Sequence, residues 1–240
     1  MLKYIARIGY VVVALLALVG LLSVLTRFAF TMQYLADGSR VSIDTGNDFA
    51  EQFEGRYYAH PYLTLVHVVT GFLFMTIGPI QFWPAVRNRW IALHRTCGWI
   101  WMFAALINAV SALLFVGRLP VFGHLSASAG VVVGGSTFLV CLAQGFRSIR
   151  RRDITRHREW MIRAFAIGLG ISTFRVLIPL LIMPPINATF DEAWDTVAWL
   201  GFVINLGVAE VWINVTRRQP QSRPVRSALP RSQTASEPVI

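Results

Sequence analysis

The sequence predicts an all-α integral membrane protein of six transmembrane helices, with the second to fifth forming a four-helix bundle core. Three observations predict it. Apolar residues fill 55% of the 240 positions and charged residues only 14%, whereas a soluble domain carries about 25% charged residues. The apolar residues come in six long uninterrupted runs, and the mean hydropathy is +0.55. The cations gather between alternate runs, as they do in multi-pass membrane proteins.

The runs are 5–28, 61–83, 96–116, 125–146, 160–182 and 196–215. Each is close to the roughly 20 residues a helix needs to cross about 30 Å of hydrocarbon. Only helices or closed barrels satisfy their backbone in lipid, and runs of this length are too long for barrel strands. The first run follows Lys3 and Arg7 but leads into Leu25-Thr26-Arg27-Phe28, with no small-x-small cleavage site. It reads as an uncleaved anchor. Residues 1–216 thus form one membrane domain, with an outer loop at 29–60. The tail at 217–240 is rich in Pro, Ser, Gln and Arg, has little to bury and is expected to be disordered.

Orientation follows from the arginines. Arg87, Arg89 and Arg95 lie between the second and third runs, and Arg147, Arg150, Arg151, Arg152, Arg156 and Arg158 between the fourth and fifth. The loops on the other side hold acids, such as Asp44, Glu51, Asp191 and Glu192. The expectation is a cytoplasmic (inner) membrane location with both termini cytoplasmic. The net charge of +10 rests almost wholly on arginine. Because those arginines lie between apolar runs, the basic partner is the bilayer, and no nucleic acid is expected. Cys97 and Cys141 lie inside apolar runs and read as small buried hydrophobes.

The candidate chemistry is in the histidines. His60 and His67 are at the outer end of the second helix and His124 at the outer end of the fourth. His94 and His157 are at the inner ends of the third and fifth. Neutral imidazole is the usual axial ligand where a bundle holds haem iron from two sides. At 100° per residue His60, His67, Gly71 and Gly78 share an arc. So do His94, Gly98, Trp101, Ala105 and Asn108; His124, Ser128, Val131 and Gly135; and His157, Met161, Ala164, Gly168 and Arg175. Small residues beside a ligand leave room for a flat macrocycle. The competing reading is that such stripes pack helices closely in lipid, and that a His beside Arg is an interfacial anchor.

Arg175 is an arginine deep in a membrane run, which costs roughly 2.5–3.5 kcal/mol unless it reaches an anion or water. A haem propionate, an anionic substrate or an outer-loop acid would answer it; snorkelling to the interface is the alternative. Gly78-Pro79 marks a kink near Gln81, Asn108 is a further intramembrane polar group, and Glu210 faces the inner arginines. No Walker loop, HExxH or GxSxG motif occurs.

Two linked signatures carry a family resemblance: His67, Gly71, Gly78-Pro79-Ile80-Gln81-Phe82, Arg87, Arg89, His94-Arg95 and Gly98, then Ile149-Arg150, Asp153, His157-Arg158, Trp160-Met161, Arg163 and Arg175. Over about residues 60–180 the chain resembles the bacterial membrane proteins grouped as domain of unknown function 2306. That resemblance implies that His67, His94, His157 and Arg175 are motif positions, and His124 lies outside the signature. In architecture the chain also looks like the cytochrome b561 family, which implies two haems b. The combined expectation is a b-type haem protein that moves electrons through the membrane, a membrane oxidoreductase with a quinone or other redox partner. It would hold one or two haems b, with His94 and His157 on an inner one and His67 with His124 or His60 on an outer one. The alternative expectation is a non-haem transporter, ligand binder or structural membrane protein built on Asn108 and Arg175.

Overall fold

The computed structural model describes residues 2–39, 55, 57–118 and 125–217. His124, most of the outer loop and the tail beyond Arg217 lie outside the described residues. The described chain is helical: α1 (Leu2–Asp37), α2 (Pro61–Phe82), α3 (Pro84–Arg89), α4 (Ile91–Arg118), α5 (Leu125–Arg150), α6 (Ile154–Gly168), α7 (Gly170–Ile182) and α8 (Phe190–Thr216). Six helical stretches are long and apolar enough to cross a membrane, with α6 and α7 together making the fifth.

Local chemistry sets the ends. α1 runs on nine residues past the expected Phe28 and stops where Gly38 takes φ of 74° and returns its N–H to the Tyr34 carbonyl. The stretch 29–37, expected as loop, is therefore helix. Pro61 opens α2, where its missing N–H costs nothing. α2 carries Pro79 inside and ends when Trp83 becomes extended ahead of Pro84. α5 closes with Arg152 at φ 60°: the Arg152 N–H returns to the Ile149 carbonyl and the Asp153 N–H to that of Ser148. Asp153 then caps α6 by accepting from the Arg156 backbone N–H at 3.0 Å. α8 begins six residues before the expected Thr196, at a capping box formed by Thr189 and Glu192.

α2 packs on α1 and α4, α5 on α4, α6 and α8, and α7 on α8 and α1. α4 and α6 meet across the bundle core through Trp101 and Phe165, whose rings are 6.2 Å apart. At its centre four helices each contribute a ring: Phe74, Trp101, Phe138 and Phe165. Phe74 stacks on Trp101 at 5.0 Å between centroids and meets Phe165 at 5.6 Å and Phe138 at 6.0 Å. Trp101 satisfies its N–H on the Phe74 carbonyl. The fifth span is interrupted at Leu169, between Gly168 and Gly170. A side chain on Gly201 would place its Cβ 2.8 Å from the Gly170 carbonyl oxygen, so α7 and α8 cross there backbone against backbone.

Candidate functional site

At the outer end, α2 carries His67 two turns from Pro61. Its Nδ1 is 2.9 Å from the Ser111 hydroxyl on α4. That hydroxyl donates its one hydrogen to the Asn108 carbonyl at 2.8 Å. It therefore receives the His67 Nδ1–H, and Nε2 keeps the lone pair. Asn108 donates to the His67 backbone carbonyl at 2.7 Å and to the Thr70 hydroxyl at 3.3 Å. Gly71 makes room for this amide, since a Cβ there would sit 3.3 Å from Asn108 Nδ2. Phe115 closes one side, edge-on to the imidazole at 5.8 Å. Arg175 is exposed on α7 and has interaction partners of its own.

His60 sits at the N-cap of α2, its carbonyl accepting from Thr64. Seven residues separate it from His67, about 10 Å along a helix axis. The two rings stand above one another on one helix and cannot take opposite faces of a single iron.

The inner end is built differently. His157 in the first turn of α6 donates Nδ1–H to the Gly145 carbonyl on α5 at 2.9 Å. A carbonyl only accepts, so the tautomer is fixed and Nε2 is left with its lone pair. His94 lies in the first turn of α4, half-buried, and its Nδ1 is buried with no hydrogen-bond partner among the described residues. The charges of Arg87 and Arg95 act on His94. Gln81, two residues past the α2 proline, also buries an unpartnered Nε2. Its Oε1 is 3.5 Å from where a Cβ on Gly98 would stand, an ordinary contact one turn along α4 from His94. Two helices on the bundle diagonal thus bring their histidines to one end, beside a glycine and two unsatisfied polar atoms.

The small-residue stripes between the two ends leave no comparable room. A Cβ on Gly78 would lie 2.3 Å from the Phe165 ring, and one on Gly168 2.3 Å from the Phe74 ring. The chain's own aromatics fill those glycine gaps. On α5 the buried stripe runs through Gly130, Gly134, Phe138, Leu142 and Gly145. Ser128 is buried too, but Val131 and Gly135 of the expected face are only half-buried, and Gly135 instead meets Leu113 of α4. Among the described residues no group of three His, Cys, Asp or Glu is placed to hold a metal ion.

Two polar pairs were not paired by inspection of the sequence. Arg163 donates through Nη2 to Glu210 at 3.0 Å and through Nε to the same carboxylate, while stacking over Trp160 at 4.7 Å. Glu210 thus answers an arginine, as expected, and the partner is the signature residue Arg163. Asn205, buried on α8, accepts from Thr173 and donates to the Ala166 carbonyl freed near the helix interruption. An Asn and a Thr in lipid-embedded runs are the signal for such cross-helix bonds.

The model of the family described as Predicted membrane protein (DUF2306) matches residues 64–213. The chain belongs to that family. The match begins at the buried Thr64, covers both histidine ends and reaches the fully buried Ile213 of α8. Comparison with curated proteins and with solved structures gives no match. A membrane domain of the DUF2306 family, with six helices suited to a bilayer, is what sequence and structure share.

Proposed function

We propose that this DUF2306 protein is a b-type haem protein that carries electrons through the membrane, with one haem at the Arg-rich end held by His94 and His157. One observation carries the reading. The two histidines stand on diagonal helices at the same end, where His94 Nδ1 and Gln81 Nε2 are buried without partners. Buried polar atoms of this kind cost about 1–3 kcal/mol each unless something satisfies them. His157 is already oriented as axial ligands are, with Nδ1–H on a backbone carbonyl. Gly98 beside His94 is the one signature glycine whose neighbour stands at ordinary contact distance with no ring against it. Bound there, haem would supply one-electron chemistry. The chain would supply two imidazoles, exclusion of water, and Arg87 and Arg95 to balance propionates.

The outer half fits a haem less well. His67 keeps Nε2 free, but His60 is on the same helix, and an outer haem would rest on His124 as its second ligand. The proposal is therefore a single haem, with a quinone or other redox partner exchanging electrons at the membrane.

The test is an absorption spectrum of the detergent-purified full chain after expression with ample haem. A Soret band that shifts on dithionite reduction is expected. Its absence from well-folded protein would remove the haem and leave transport of a small ligand as the reading. We also propose a cytoplasmic-membrane location with both termini cytoplasmic, supported by the arginine alternation. Reporter fusions at Asp44 and Asp191 should report the outer side, and fusions at Arg151 and Ser222 the inner side.

A further inference from the structure

A cleft of about 790 Å³ opens at the Arg-rich end between α5 and α6, lined by Arg147, Arg151, Arg156, Trp160 and Arg163. Asp153 and Glu159 are its acids, with Gln144 and Ser148 completing the wall. The acids are committed elsewhere. Asp153 caps α6 and pairs with Arg156 at 3.4 Å, and Glu159 pairs with Arg217 at 3.1 Å. Arg163 forms the deep end, fixed on Glu210 and stacked over Trp160. Arg147 and Arg151, one helical turn apart, have no ion pair among the described residues. The cleft therefore offers two guanidiniums that have no ion pair among the described residues.

Phe146, Ile149 and Ile154 are exposed and adjoin these arginines in the sequence, at the ends of membrane-spanning helices. The cleft therefore opens at the level where headgroups and acyl chains meet. We propose that this cleft binds the headgroup of an anionic phospholipid, its phosphodiester between Arg147 and Arg151 and its chains along the exposed apolar edge. The site is separate from the histidine pair, and the proposal does not rest on the haem reading.

The experiment uses the full chain in detergent, titrated with phosphatidylglycerol, with phosphatidylcholine and with inorganic phosphate, and reads thermal unfolding. Phosphatidylglycerol should raise the unfolding temperature and phosphatidylcholine should not. The double variant Arg147→Gln/Arg151→Gln should need roughly tenfold more phosphatidylglycerol for the same shift. Arg150→Gln/Arg152→Gln removes the same charge from the same turn but outside the cleft, and should behave as wild type. Equal losses in the two double variants would reduce the effect to surface charge and overturn the site. A shift of the same size with inorganic phosphate would also overturn it, in favour of a free-anion site. If the first double variant does not fold, Arg151→Gln alone is scored for phosphatidylglycerol retained in native mass spectra. Retention equal to wild type would overturn the proposal.

Discussion

The two histidine-bearing ends of the bundle are made from similar parts and finished differently. At the outer end His67, Ser111, Asn108 and Thr70 satisfy one another across α2 and α4. At the inner end His157 is satisfied on Gly145, while His94 Nδ1 and Gln81 Nε2 are buried with no partner among the described residues. Closed polar networks fasten helices to each other, and His67 and Asn108 need no further partner. Unsatisfied buried groups are costly and call for an explanation from outside the chain. The plug of Phe74, Trp101, Phe138 and Phe165 between the ends keeps the two environments apart.

The sharpest way to break this contrast is spectroscopic. His157→Ala or His94→Ala should abolish the Soret band of the purified protein, and His67→Ala should leave it. A band lost with His67 and kept without His157 would exchange the roles of the two ends.

The next effect is on the plug. Gly78→Leu drives a side chain into the Phe165 ring, where even a Cβ would be at 2.3 Å. Overpacking should cost about 3 kcal/mol, seen as a lower unfolding temperature in detergent. A neutral result would mean that the centre is loose and the two ends are in contact.

The smaller effects compare the two amides directly. Asn108→Leu deprives the His67 carbonyl and the Thr70 hydroxyl of a donor and should cost about 2 kcal/mol. Gln81→Leu removes an amide whose Nε2 bonds nothing, and without a bound ligand it should change stability by about 0.5 kcal/mol or less. Equal losses in the two variants, measured by thermal unfolding, would erase the distinction between a closed and an open end.

Some of the site was legible beforehand and some was not. Counting at 100° per residue set Trp101, Ala105 and Asn108 on the inward side of the third span, and Trp101 and Ala105 are indeed 2% and 0% exposed. On the fourth span Ser128 is buried, while Val131 and Gly135 of the same face are half-buried. Aromatic and small residues surround that helix, and which stripe is buried depends on where Phe202 and Trp199 of α8 press against Gly134 and Gly130. In the fifth span Leu169 separates α6 from α7 yet keeps helical φ and ψ, and its N–H returns to the Phe165 carbonyl. The start of α8 was written in Thr189-x-x-Glu192, a capping box whose polar residues lie outside the apolar run that marked the span.

The sequence by itself determined the number of spans, the family signature and the alternation of arginine-rich loops. These depend only on run length, composition and order, which the bilayer reads without reference to neighbouring helices. Tertiary structure alone decided which glycines hold aromatic rings, that Arg163 takes Glu210, and that Arg147 and Arg151 find no ion pair among the described residues. It also decided that His67 is satisfied within the chain while His94 is not. Those outcomes depend on which side chain of one helix reaches which atom of another, and a hydrogen bond is made or lost over less than 1 Å.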